Sequence, residues 1–139
     1  MSYQQKGIWV YLTTSACAYA VYLAIIVGRL QSTPAAQVPY AWVLFWTTAA
    51  AIIASTAGRT VVESARRSDS RHRDARDREI DRFGEYASRW FIVAGAAVGF
   101  AMALLKVDYF WIANVIYLGF VLWAVTGSAF KLVAYRRGL

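Results

Sequence analysis

The sequence predicts an all-α protein, a four-transmembrane-helix bundle. Of its 139 residues, 59% are apolar and 16% aromatic, while only 17% are charged, compared with roughly 25% in soluble domains. A bilayer core of ~30 Å requires about 20 apolar residues in a helix. Four stretches without an acidic residue approach or exceed that length: 8–28, 40–57, 87–105 and 110–133. The length favours a single integral membrane domain, 1–139.

The distribution of basic residues predicts the orientation. Of the 15 lysines and arginines, only Arg29 and Lys106 fall in the two short loops. The others lie near the termini or in the central segment. Because basic residues concentrate on the cytoplasmic side, we expect both termini and residues 58–86 to be cytoplasmic. A cleavable signal peptide is not expected, since only Lys6 precedes the first span.

The central segment 58–86 has the pattern of a charged helical hairpin. Apolar residues in its second half recur at helical spacing and run into the third span; they are Ile80, Phe83, Ala87, Trp90 and Phe91. "RTVVESARR" can extend the second span, and "SDS" at 68–70 supplies a turn. Two acid-first pairs at i,i+4 are expected, Asp74 with Arg78 and Glu85 with Arg89.

Nucleic-acid binding and metal binding are disfavoured by the composition of this segment. From Arg59 to Arg89, nine arginines are offset by seven acids, whereas phosphate binding requires a concentrated positive field. Asp74, Asp77 and Asp81 share one helical face near His72, but each acid has an arginine beside it. A solvated, salt-bridged helix is therefore favoured over a metal site.

Catalysis is also disfavoured. "DARDREIDRFG" partly matches the aspartate-rich signature of membrane CDP-alcohol phosphotransferases, but the aspartates that should follow the glycine are missing. No catalytic triad, P-loop or HExxH motif occurs. We expect no catalytic residue, cofactor or metal, and the single Cys17 excludes an intramolecular disulfide.

Polar and small residues in the spans predict how the helices pack. Asn114 and Tyr117 lie one turn apart on the fourth span, and hydrogen bonding to another helix is favoured over contact with a ligand. Gly95 and Gly99 form a GxxxG pattern. Two more stripes of small residues occur every four positions: Ala16, Ala20, Ala24 and Gly28, then Ala50, Ala54 and Gly58. They favour packing inside the bundle, with a homo-oligomer interface as the alternative.

The second half of the chain resembles a group of small four-span actinobacterial membrane proteins of unknown function. The resemblance covers "RDREIDRFGEYASRWFIVAGAAVGFAMALL" and "DYFWIANVIYLGFVLWAVTGSAFKLVAYRRG". It includes a D-x-R-D-x-E-I element before the third span and FWIAN-x-x-Y at the start of the fourth. Such proteins are often encoded beside helix-turn-helix regulators, which implies a role as membrane partner or sensor for a cytoplasmic transcription factor.

The leading hypothesis is a non-enzymatic membrane protein whose hairpin docks a soluble partner, such as a helix-turn-helix regulator, without binding nucleic acid itself. The expected docking residues are Arg71, Arg73, Arg76, Asp77, Arg78 and Glu79. The alternatives are a small transporter or channel component, and an accessory subunit of a larger membrane complex. Transport is disfavoured because no span contains an acidic residue.

Overall fold

The computed structural model describes residues 3–64 and 75–137, which form four long helices. They are α1 (Tyr3–Leu30), α2 (Ala41–Ser64), α3 (Ala75–Leu104) and α4 (Tyr109–Arg137), with one 3₁₀ turn at Ala35–Gln37 between α1 and α2. No strand occurs in the two described ranges. All four helices are long and apolar enough to cross a bilayer. The all-α class and the four predicted spans of a multi-pass membrane protein are confirmed.

All four helices are longer than a bilayer core requires, and α2 and α3 extend into the charged central segment. The 30 residues of α3 measure about 45 Å at 1.5 Å per residue, against ~30 Å of hydrocarbon. The surplus is the charged N-terminal part of α3, before the predicted span. Likewise, α2 continues past the predicted end at 57 as far as Ser64. The turn predicted at 68–70 lies outside the described residues.

The helices pack in the order α2, α1, α4, α3. Helix α1 contacts α2 and α4, and the closest pair is α3 with α4. Within the described residues, α2 and α3 form no extensive contact with each other. The charged N-terminal part of α3 is therefore supported by α4 rather than by α2.

Glycines bring α3 and α4 into backbone contact. A Cβ placed on Gly95 would lie 3.0 Å from the Cα of Gly119, and one on Gly119 would lie 3.0 Å from the carbonyl oxygen of Phe91. Four residues further along α3, a Cβ on Gly99 would lie 2.7 Å from Cγ1 of Ile116. Small residues allow membrane helices to approach this closely. The close contact stabilises the pair through dispersion, because the hydrophobic effect does not drive helices together within lipid. The GxxxG pattern of α3 thus faces α4 within the same molecule.

An aromatic and aliphatic core lies at the end of the molecule opposite the charged segment. Its buried members are Tyr22, Ile26, Val38 and Phe110. The loop between α1 and α2 closes this end, because the Nη1 of Arg29 donates a 2.7 Å hydrogen bond to the carbonyl oxygen of Pro39.

The short α3–α4 connection is defined by two caps. Lys106 has a φ of 55°, and the amide of Val107 donates a hydrogen bond to the carbonyl of Met102 across the end of α3. This is the Schellman arrangement, in which glycine usually occupies the left-handed position that Lys106 occupies here. Two residues later, the carboxylate of Asp108 accepts a 2.9 Å hydrogen bond from the amide of Phe110. Asp108 is thus the N-cap of α4.

The small-residue stripe of α1 does not pack inside the molecule. Ala16, Ala20, Ala24 and Gly28 are all exposed, and no described atom lies within 4 Å of a Cβ placed on Gly28. On α2, Ala50 and Ala54 are also exposed, and only Gly58 makes a close contact, with Val10 of α1. The expectation of internal packing was therefore wrong for α1 and for most of the α2 stripe, because these helices contact each other along other faces.

Gly95→Leu is expected to lower the free energy of unfolding by about 1–3 kcal/mol, because the new side chain must push two helix backbones apart. Gly28→Leu adds the same atoms at an open position and serves as the control, with little loss or a slight gain. Unfolding by SDS in mixed micelles, followed by circular dichroism, would compare the two. Equal losses would contradict the assignment of Gly95 to the contact.

Candidate functional site

The candidate site is the charged N-terminal part of α3, which runs beside the C-terminal part of α4. Its acids Asp77, Asp81 and Glu85 recur every four residues, so they lie along one face of the helix. That face is turned toward α4. We call the three acids, together with Lys131 and Tyr135 of α4, the charge cluster.

Hydrogen bonds and ion pairs hold the charge cluster together. The hydroxyl of Tyr135 donates a 2.6 Å hydrogen bond to Oδ1 of Asp77. The Nζ of Lys131 lies 3.2 Å from Oδ1 of Asp81 and 3.5 Å from Oε1 of Glu85. The Lys131 side chain is 17% exposed and that of Asp81 26%, so this pair is partly shielded from water and less screened than a surface pair.

Gly84 gives Lys131 the space to reach both acids. A Cβ on Gly84 would lie 2.5 Å from Cγ of Lys131 and 3.0 Å from the carbonyl oxygen of Gly127. The aliphatic stem of the lysine therefore lies directly against the backbone of α3. One turn further along, Ser88 is fully buried and donates a 2.7 Å hydrogen bond to the carbonyl of Gly84, so its hydroxyl is satisfied within its own helix.

The arginines of the same segment lie on an adjoining side of α3, next to Glu85. Arg78, Arg82 and Arg89 are exposed, and their numbering places them within roughly 40° of one another around a helix with 3.6 residues per turn. We call these three residues the arginine face. They line an open groove of about 660 Å³ together with Glu79, Phe83, Glu85 and Tyr86.

Arg89 stacks on an aromatic ring instead of pairing with an acid. Its guanidinium carbon lies 4.9 Å from the centre of the Tyr86 ring, a cation–π distance. The sequence predicted an ion pair between Glu85 and Arg89, and this was wrong. Glu85 lies close enough to α4 to pair with Lys131, which draws its carboxylate away from Arg89.

The structure therefore separates charges that the sequence shows as mixed. Near-equal numbers of arginines and acids predicted a cancelled field. In residues 77–89, however, Asp77, Asp81 and Glu85 contact α4, although the Glu85 side chain is still 65% exposed, and three arginines are exposed. Glu79 is exposed and, within the described residues, forms no bond to α4. The outer surface of this part of α3 is accordingly more basic than the residue count indicates.

The predicted docking residues fall into three groups. Arg78 and Glu79 are exposed, whereas Asp77 is half-buried and accepts the bond from Tyr135. Arg71 and Arg73 lie outside the described residues, as does the side chain of Arg76. Asp77 thus also contributes to the contact between α3 and α4.

The polar residues predicted within the membrane meet at the opposite end of the molecule. The Oδ1 of Asn114 accepts a 2.9 Å hydrogen bond from the hydroxyl of Tyr22 on α1, and its Nδ2 donates to the carbonyl of Phe110 at 2.8 Å. The ring of Tyr117 packs edge-on against Tyr22 and Tyr19, with ring centres 5.2 and 5.6 Å apart. Aromatic rings thus fill the space around the amide.

Three important residues were missed or given another role by the sequence. Tyr22 was not singled out, although Tyr19 and Tyr22 at i,i+3 form a visible aromatic pair. Tyr135 was not considered. The sequence shows only that it has a hydroxyl group and lies near the end of the last span. Lys131 lies near the end of the last predicted span, but its acid partners could not be identified without knowing that α4 faces Asp81.

Lys131→Met should lower the free energy of unfolding by about 1 kcal/mol, because it leaves two carboxylates of the charge cluster without their cation. Arg136→Met removes the same charge from the exposed end of α4 and is expected to change stability by less than about 0.5 kcal/mol. A double-mutant cycle of Lys131→Met with Asp81→Asn, measured by SDS unfolding, isolates the pair. Strict additivity would contradict the contact.

Comparison of the chain with models of protein families, with curated proteins and with solved structures gave no match.

Proposed function

We propose that this is a non-enzymatic protein of the bacterial cytoplasmic membrane, with both termini in the cytoplasm, that uses the charged N-terminal part of α3 to dock a soluble partner. The observation that carries the proposal is the separation of charge on α3. Asp77, Asp81 and Glu85 contact α4, while Arg78, Arg82 and Arg89 are exposed beside Glu79 where the helix leaves the predicted span.

Several features support the orientation. Asp77 of α3 contacts Tyr135 of α4, so the start of α3 and the end of α4 are at the same end of the molecule. This end also contains Arg136 and Arg137. The opposite end contains Arg29, which is bonded to the backbone of Pro39, and Lys106. The positive-inside rule places the more basic end in the cytoplasm.

The contacts of α3 suit it for docking. Tyr135 and Lys131 hold the emerging helix against α4 over more than two turns, which fixes its direction before any partner arrives. A surface that is already ordered loses less conformational entropy on binding. A partner segment rich in acids would complement Arg78 and the neighbouring arginines, and complementary charge favours rapid and selective association. A helix-turn-helix regulator with such a segment is the candidate that the family resemblance implies.

The intramembrane polar residues support a structural role rather than a solute path. Both polar atoms of the Asn114 side chain are bonded within the protein, and Tyr22 beside it is fully buried. A transport site would require polar groups free to exchange partners with a solute.

Cysteine labelling would test the orientation. In a Cys17→Ser background, Ser32→Cys and Ser64→Cys introduce one thiol each at exposed positions in the α1–α2 loop and at the end of α2. A membrane-impermeant maleimide should label the first in intact spheroplasts and the second only after permeabilisation. The reverse pattern would overturn the proposed orientation.

Replacing Arg71, Arg73, Arg76 and Arg78 together by alanine should reduce copurification of a stoichiometric partner, after gentle detergent extraction, by roughly tenfold or more. The physical reason is the loss of several weak, additive contacts to acidic groups. Replacement of the same four residues by lysine keeps the charge and should retain most of the partner. Identical partner profiles for wild type and the alanine variant would refute the docking proposal.

A further inference from the structure

The arginine face continues directly into an apolar strip on α3. Arg82, Arg89, Val93 and Phe100 are separated by seven, four and seven residues, a spacing that keeps all four on one stripe of the helix. Val93 is 51% and Phe100 67% exposed. Two arginines are thus followed along one line by side chains that face the hydrocarbon.

The membrane boundary crosses this stripe between the two arginines. Measured along α3 from its last residue, Leu104, a rise of 1.5 Å per residue places Arg89 at about 22 Å and Arg82 at about 33 Å. A ~30 Å core that starts near Leu104 therefore ends between them. Side chains on a helix lean toward its N-terminus, so Arg89 extends from inside the core toward the headgroups, where its guanidinium rests on Tyr86.

The groove at this level has the chemistry of a phosphate site. Arg82 and Arg89 line it together with Tyr86 and Phe83, and guanidinium groups are well suited to bind phosphate oxygens. It also contains two carboxylates. Glu85 is drawn toward Lys131 at 3.5 Å, while Glu79 lies two turns before Tyr86, at the end of the groove furthest from the membrane.

We propose that this groove binds one anionic phospholipid of the leaflet surrounding the charged end of α3. Its phosphate lies between Arg82 and Arg89, and an acyl chain follows Val93 and Phe100. Lys131 contributes indirectly, because it draws Glu85, one of the two groove carboxylates, toward α4. This proposal requires only that Tyr86 lies near a membrane surface. It therefore depends neither on the soluble partner nor on which side of the membrane the charged end faces.

A lipid fits this position better than a soluble acidic segment does. Arg89 lies inside the hydrocarbon boundary, where a water-soluble chain would have to bury its own backbone polar groups without partners. A phospholipid places its phosphate just outside this boundary, within reach of the Arg89 side chain, and an acyl chain beside Phe100. Basic residues next to a membrane each contribute roughly 1 kcal/mol to binding anionic lipid.

Native mass spectrometry of the full-length protein in detergent would test the site, with phosphatidylglycerol compared with phosphatidylethanolamine as the probes. The wild type should retain one phosphatidylglycerol in preference to phosphatidylethanolamine. Replacement of both Arg82 and Arg89 by glutamine should lower the apparent affinity for phosphatidylglycerol about 25-fold. This factor follows from a contribution of ~1 kcal/mol by each arginine, because a tenfold change in affinity corresponds to about 1.4 kcal/mol. Glycerol phosphate, which lacks the acyl chains, should displace little of the lipid.

Replacement of both Arg136 and Arg137 by glutamine is the matched control, because it removes the same charge from exposed positions at the same end of the molecule. This variant should bind phosphatidylglycerol within about twofold of wild type. Circular dichroism melting of each variant would verify that the helices are intact. Equal loss in both double variants, or no preference between the two lipids, would overturn the proposal. The proposal would also be overturned if the variant with glutamine at positions 82 and 89 kept its phosphatidylglycerol but lost a soluble partner.

Discussion

At Gly95 and Gly119 the backbones of α3 and α4 lie in van der Waals contact, and the arrangement of the charged end follows from this contact. Because the helices are antiparallel and close, the acids at positions 77, 81 and 85 lie opposite Lys131 and Tyr135. Gly84 and Gly127 continue the close approach to the membrane surface. A larger residue at Gly95 would separate the helices and weaken the ion pairs two turns or more away.

The close packing of α3 on α4 also determines which charges remain exposed. A helix with arginines and acids in near-equal number presents little net field if both kinds face water. Here Lys131 draws Asp81 and Glu85 toward α4, while Arg78, Arg82 and Arg89 are exposed on the adjoining side. The resulting surface changes along α3 from charged side chains at its N-terminal end, through Arg89, to the exposed apolar side chains of Val93 and Phe100. A soluble partner and a lipid headgroup would therefore use adjacent, separate parts of one helix.

The two ends of the molecule are stabilised by different interactions. At the charged end, glycine contacts and ion pairs join α3 to α4. At the other end, Tyr22, Ile26, Val38 and Phe110 form a core that joins α1, the first loop and α4, and Asn114 bonds to Tyr22. Helix α1 thus links α2 to the rest of the molecule, and its alanine stripe remains on the outer surface. A membrane protein can leave such a surface exposed because lipid tails are as apolar as the side chains.

The sequence by itself determined the number and position of the membrane spans, because the cost of burying charge in hydrocarbon makes long apolar stretches unambiguous. It also indicated that α3 begins before the membrane, from the helical spacing of Ile80 and Phe83. It did not determine which helices are neighbours, and so the partners of Glu85, Lys131 and Asn114 were decided only by the tertiary structure. The alanines of α1 and the glycines of α3 have the same four-residue spacing, yet only the glycines meet another helix. Local spacing specifies a face of a helix, whereas the packing of the whole chain decides what that face touches.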